Sequence, residues 1–482
     1  MSAPTAVDHG RLTPATPPAR QAPVRPVANP TRVTAALSIT VLAFSLAQTL
    51  VVPALPTIGA DLGAGAQATG WILTAFLLAG AVLAPVIGNI GDRLGHRRVL
   101  LATLAVFALA TVLAALAPSI GVLLGARVLM GASTATFPLA LALARQSLPA
   151  DRIATAFGWI AGMIGLGAGA ALVVGGIVVE DLSWRWIFVL GAAFVVAAGA
   201  MVAAWVPRGT APVLARPTDW PGIALLAGGL VGVLLAVSQG RSWGWGSPQT
   251  LAVGIGGLVL LALLVVVELR RDFPVVDVRT FRHGPLVLIS LLTIAVGFVP
   301  YVCYVALPVL LQSPEATGYG HGMSITGSAL ALLPSAVLVF LGGRMTPALV
   351  ARTSSGVAAV TSAAVMALGA GGLALWPGTT WTVVVWFAVL GLGNGIGYAI
   401  CAQLVAAWSP AAEMGAATGL NSVVRTVGSA AAAPVVTALI ASGVTSSDPT
   451  AAFSQSFWVA AAAALVGVVV ALILSVRSPA RS

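Results

Sequence analysis

The chain has 482 residues, 59% of them hydrophobic and only 7% charged, with a formal charge of +10. Soluble domains carry roughly 25% charged residues, so a chain this apolar is a bilayer protein rather than a soluble one. The basic excess is all arginine, lysine being absent, and it is spread along the chain rather than gathered on one domain, which argues against a nucleic-acid partner. In a bilayer only helices or closed barrels satisfy the backbone, and the apolar runs here are continuous rather than alternating, so the fold class is all-α and polytopic. Cys303 and Cys401 each sit inside an apolar run and imply neither a disulfide framework nor a metal site.

In chain order, residues 1–32 are rich in Pro, Ala and Thr and carry Arg11, Arg20, Arg25 and Arg32. They lack the apolar stretch of a signal peptide and read as a disordered cytoplasmic tail. Fourteen runs long enough to span follow: 34–58, 70–90, 98–117, 120–142, 153–178, 184–206, 219–238, 249–269, 284–311, 323–347, 357–376, 380–407, 413–442 and 455–476. They group as an N-terminal six-helix half (33–206), a two-helix insert with its linkers (207–283), a C-terminal six-helix half (284–476) and a short tail (477–482). With both termini in the cytoplasm, nineteen arginines fall on that side and only Arg185 and Arg241 outside. That asymmetry supports the count and the orientation in a plasma membrane. Arg127 and Arg425 alone fall well inside helices, where a charge is expensive and functional by default.

The sharpest motif follows the second run: Gly88-Asn89-Ile90-Gly91-Asp92-Arg93-Leu94-Gly95-His96-Arg97-Arg98. It resembles the loop signature of the major facilitator superfamily. Trp71 and the string Ser183-Trp184-Arg185-Trp186-Ile187-Phe188 are similar to its fourteen-helix drug:proton antiporter branch, and the resemblance covers all fourteen runs. It implies 6+2+6 helices in two pseudo-symmetric halves, a small-molecule substrate held between them, and alternating access driven by protons. It makes Gly88, Gly91, Asp92, Arg93, Gly95, Arg97 and Arg98 a conformational latch, with Asp92 meeting a helix that starts near Glu413. Residues 343–352 resemble a decayed second copy, keeping Gly343, Arg344 and Arg352.

Other residues are open between function and packing. Arg127 resembles a helix 4 motif, with Met130 in place of Gln, and serves either the substrate or structural pairing with backbone carbonyls. Gly158, Gly162, Gly175 and Gly176 allow close helix approach, although Ala171-Leu172 replaces the Gly-Pro of the family's antiporter motif. Candidates for lining a substrate cavity are Gln48, Thr49, Phe137, Trp159, Tyr301, Tyr304, Gln312, Asn394, Tyr398 and Asn421, the aromatics among them being equally suited to packing or lipid contact. The family's helix 1 acid is Ala47 here, and all thirteen acids fall in the tail, loops or helix ends. Export of drugs or other amphipathic small molecules is therefore the expected function. The alternatives are a lipid exporter, an uncoupled facilitator, or a transport-inactive membrane sensor. No Gly-rich loop with Lys exists to hold ATP, and His9, His96, His283 and His321 lack metal spacing, so no cofactor, metal or enzyme activity is expected.

Overall fold

The computed structural model describes residues 29–208, 219–271, 279, 284–409, 414–443 and 450–477. Sixteen α-helices carry these residues. The N-terminal half comprises α1 (Pro30–Thr49), α2 (Leu55–Asp61), α3 (Ala66–Leu94), α4 (His96–Ala115), α5 (Ile120–Met130), α6 (Thr136–Ser147), α7 (Ala150–Asp181) and α8 (Arg185–Trp205). The insert is α9 (Trp220–Trp243) and α10 (Pro248–Glu268). The C-terminal half is α11 (Gly284–Gln312), α12 (Ile325–Arg352), α13 (Ser355–Leu375), α14 (Thr380–Trp408), α15 (Met414–Gly443) and α16 (Ala451–Arg477). Among the described residues thirteen spans, α5 and α6 counting as one, are long and apolar enough to cross a membrane, and the 30-residue α15 is a further long helix packed between α3 and α11.

The helix ends follow from local chemistry. Ser119, Ser247, Ser324, Ser354 and Thr379 each accept a hydrogen bond from a backbone N–H in the first turn of the helix they precede. Gly95, at φ 94°, takes a conformation that a side chain would resist, and so parts α3 from α4. The first span differs from the expected 34–58. Asn29 caps it and Pro30 occupies its first turn, so it begins inside the expected 1–32 tail. At its other end Pro53 and Pro56 lack the N–H a continuing helix needs; the chain turns after Thr49 and re-forms as α2. The fourth span also departs from a simple helix, passing through a 3-10 segment, Gly131–Ala135.

Each half has its own buried core. One fills α1–α8, with Phe44, Phe76, Phe107, Phe157 and Trp184 its bulkiest members, and is touched by Ala399, Ala402 and Ala406 of α14. The other fills α11–α16 around Phe387, Phe453 and Phe457. Lipid is as apolar as these side chains, so close packing rather than hydrophobic exclusion holds the helices together. The halves meet along two lines, α7 on α12 and α3 on α15. The insert lies beside the second line: Leu226 and Leu230 of α9 and Leu264 of α10 pack with Val423 of α15 and Val82 of α3, so it touches both halves.

Candidate functional site

Between the halves lies a narrow cavity of about 20 Å³, room for about one water, lined from α1, α3, the 3-10 segment and α15. Its walls follow the helical period. From α3 come Leu77, Gly80, Ala81 and Ala84; from α1, Phe44 and Gln48; from α15, Ser422, Arg425, Thr426 and Ser429, with Thr134 closing it. Each set repeats at three- and four-residue spacing, which puts its members on one face. Thr134 donates to the Gly80 and Gly131 carbonyls, and Ser429 to those of Gly297 and Arg425, so these hydroxyls have their protons engaged. Arg425 lies over the Tyr398 ring, 5.2 Å from its centroid, with Nη1 3.5 Å from the Tyr398 hydroxyl.

Arg127 sits elsewhere, fully buried in the N-terminal half. Its Nε donates to the Ile72 carbonyl at 3.0 Å and its Nη1 to the Ala47 carbonyl at 3.0 Å, while the guanidinium lies 4.4 Å from the Phe76 ring centroid. Of the two roles left open by sequence, carbonyl pairing is the one seen. Ala47 and Met130, where the family pattern has acid and amide, both line a separate apolar pocket of about 170 Å³ against α8.

The loop motif forms a chain of polar contacts at the arginine-rich end. Asp92 Oδ1 lies 2.9 Å from His96 Nε2, and His96 Nδ1 lies 3.1 Å from Gln146 Nε2 on α6. Gly91 gives His96 and Leu139 room that a methyl group would fill. Arg97 turns away from Asp92 and caps α8, donating to the Val206 and Ala203 carbonyls at 2.9 and 2.8 Å. The expected partner helix begins beside Glu413, which lies outside the described residues. Across the halves at this end, Arg145 donates to the Ser409 carbonyl at 3.2 Å, and Arg344 of α12 lies 4.8 Å from the Trp159 ring of α7.

At the opposite end stands a cluster that sequence reasoning missed. Asp61 Oδ2 accepts from Trp184 Nε1 at 2.9 Å and from Arg185 Nη1 at 2.7 Å, and Arg185 lies over the Trp184 ring. The bonds from Arg185 and then Trp184 hold the Asp61 carboxyl below its ordinary value of 3.8. The Trp184-Arg185 pair is visible in sequence, but only the fold brings Asp61 to it.

Of the expected cavity residues, Gln48 lines the cavity and Tyr398 borders it through Arg425. The others are placed in packing or strapping roles. Thr49 donates back to Ser45 within α1. Phe137 belongs to the N-terminal core, and Trp159 packs edge-on against Phe340. Tyr301, Tyr304 and Phe387 form an aromatic series inside the C-terminal half. Gln312 donates to Ser328, Asn394 to the Val296 carbonyl and Asn421 to Thr293, each tying α11 to a neighbour. Sequence overlooked Ser422, Thr426 and Ser429, whose shared stripe with Arg425 is the signal that points to them. The glycines sit at crossings: a methyl on Gly158 would lie 2.5 Å from the Gly343 oxygen, on Gly162 2.9 Å from the Phe340 oxygen, on Gly175 2.6 Å from the Leu50 oxygen, and on Gly176 3.1 Å from Thr326 Oγ1. Among the described residues no group of three or more His, Cys, Asp or Glu is placed to hold a metal.

Two helical halves facing each other across a small polar cavity are the architecture of a membrane transporter, and comparison with known proteins agrees. The sequence profile of the Major Facilitator Superfamily matches residues 37–390, and the chain belongs to that family. It is 30% identical over 433 residues to an uncharacterized MFS-type transporter of Mycobacterium tuberculosis, covering 87% of this chain and 61% of that one. The tetracenomycin C resistance and export protein of Streptomyces glaucescens is 28% identical over 85% of this chain and 76% of its own length. A probable actinorhodin transporter of Streptomyces coelicolor is 31% identical over 78% of this chain and 66% of its own. In fold, the chain superposes on the human organic anion transporter MFSD10 with a TM-score of 0.68, at 16% identity, over 92% of this chain and 99% of that one. Fold and relatives alike are those of multi-pass membrane transporters, not enzymes.

Proposed function

We propose that this protein exports amphipathic small molecules across the bacterial plasma membrane by alternating access, with both termini in the cytoplasm. The observation that carries this reading is the placement of one polar-walled cavity where α1, α3 and α15 of the two halves meet. Rocking of one half against the other about such a site exposes it to each side in turn. The relatives support export: their names describe tetracenomycin C resistance and export, puromycin resistance and multidrug export. Asp92, with His96 and Gln146, acts as the latch at the cytoplasmic end in this reading, and the transport cycle breaks and remakes its contacts.

Proton coupling has fewer places to act than the resemblance implies. Among the described residues every carboxylate lies at a helix end or in a connecting segment, and none lines the cavity. Coupling through helix-end acids such as Asp92 is the form consistent with that distribution. The test is efflux from proteoliposomes of the purified protein, using a panel of amphipathic dyes with and without an imposed pH gradient. Saturable efflux that the gradient accelerates is expected, and Asp92→Asn lowers the rate several-fold while leaving insertion intact. No efflux of any dye favours the sensor reading instead.

A further inference from the structure

Arg127 and Arg425 are the two arginines that the sequence places well inside membrane spans, and the structure gives them different surroundings. Arg127 has two of its nitrogens bonded to carbonyls and its face covered by Phe76, and it does not line the central cavity. Arg425 is in the cavity wall, at the centre of the Ser422, Thr426 and Ser429 stripe and opposite Gln48. Its guanidinium lies over the ring of Tyr398 with Nη1 3.5 Å from that hydroxyl, and among the described residues no carboxylate lies within ion-pairing distance of it. Among the described residues of the lining none is acidic; the others are apolar, amide or hydroxyl.

We infer that the central cavity, once the halves part enough to admit a substrate, selects anionic amphipaths, with Arg425 as the group that receives the negative charge. The inference rests on the reading of this cavity as the substrate site. Three physical points support it. A guanidinium in a site walled by low-dielectric helices attracts an anion and repels a cation, and among the described lining residues no carboxylate reverses the sign. Its planar fork matches a carboxylate, sulfonate or phenolate oxygen pair, and Tyr398 holds its face so that little ordering remains to be done on binding. Gln48 adds an amide whose N–H can donate to the same group, while Phe44 and Leu77 offer apolar surface to the substrate's body.

The experiment measures binding apart from transport. Purified full-length protein in detergent micelles is titrated with fluorescein, an amphipathic anion, and with rhodamine 123, a related cation, by fluorescence anisotropy. The wild type is expected to bind fluorescein at least tenfold more tightly. Arg425→Gln should lose about tenfold in fluorescein affinity with no loss for rhodamine 123, and Arg425→Lys, which keeps charge without the fork, should fall between. Gln48→Glu, which places a carboxylate opposite Arg425, should weaken fluorescein and strengthen rhodamine 123, and it decides the matter if Arg425 variants do not fold. Equal or tighter binding of rhodamine 123 by the wild type overturns the inference, as does binding of neither dye, or unchanged selectivity in both Arg425→Gln and Gln48→Glu. Flux assays separate the two readings. Efflux of rhodamine 123 but not fluorescein leaves export standing and sinks anion selection. Selective binding of fluorescein without flux of any dye sinks export and leaves the site's selectivity standing.

Discussion

A buried cation survives in a membrane helix only where something replaces its water. Arg127 finds that replacement in the Ile72 and Ala47 carbonyls and the Phe76 ring, so its charge stabilises the contact of α5 with α1 and α3. Lysine at this position has a single ammonium and no fork, and it cannot reach both carbonyls in the same geometry. Arg127→Lys is expected to lose one charge-assisted hydrogen bond, about 1.5–3 kcal/mol, read as a lower unfolding temperature in detergent. Arg425→Lys, with no carbonyl cage to break, should leave that temperature nearly unchanged. At the other end of the molecule, Asp61 accepts from both Trp184 and Arg185. Its carboxyl is held below 3.8, so the clasp contributes stability above that pH and loses it as the pH falls through the lowered folded-state value. Asp61→Asn should therefore unfold at a lower temperature than the wild type at pH 7, and the gap should narrow as the pH is taken progressively below 3.8.

At the scale of elements, the contact of α7 with α12 is the clearest case of sequence becoming geometry. Glycines at positions 158, 162, 165, 169 and 176 recur mostly at three- or four-residue spacing, and each faces a residue of α12: Gly343, Phe340, Val339, Ala336 and Thr326. A side chain at any of the central positions must push the helices apart. Gly162→Leu is expected to cost roughly 1–3 kcal/mol by overpacking and to cut dye efflux by at least tenfold while surface expression persists. Gly371, which faces open space on α13, is the control: Gly371→Leu should transport normally. Normal efflux by Gly162→Leu would show that the close approach of α7 and α12 is not required for the cycle.

At the scale of the whole molecule, polar contacts join the halves near both ends of their interface. Thr326 donates to Glu180 at 2.8 Å near one end of the α7–α12 line, and Arg145 donates to the Ser409 carbonyl near the other. If the halves rock, those contacts must part at different points in the cycle. A disulfide between Glu180→Cys and Thr326→Cys should halt efflux under oxidation and release it on reduction. The native Cys303 and Cys401 are both buried in the C-terminal half and stay out of the reaction. Full activity of the oxidised double variant would rule out opening at that end. The insert bears on the same motion, since α9 leans on Val82 of α3 and Val423 of α15 and so spans the line where the halves meet.

Composition and the lengths of the apolar runs determined that this chain is a helical membrane protein, because a backbone in lipid has few ways to satisfy its hydrogen bonds. Arginine placement supported the helix count, and the Gly-x-x-Gly-Asp-Arg string pointed to the family. These are local properties, carried by runs of twenty residues or by a single turn. The cavity wall was only partly legible. Gln48 and Arg425 stood out as polar groups in apolar runs, whereas Asn394 and Gln312 stood out equally and proved to be straps on α11. A polar residue in a membrane helix must face something other than lipid, but that something is either a cavity or a neighbouring helix, and only the packing decides which. The same holds for the two arginines, one sealed against carbonyls and one left in the cavity wall. It holds too for Asp61, which lies 123 residues from the tryptophan that binds it and so has no partner that periodicity or spacing could reveal.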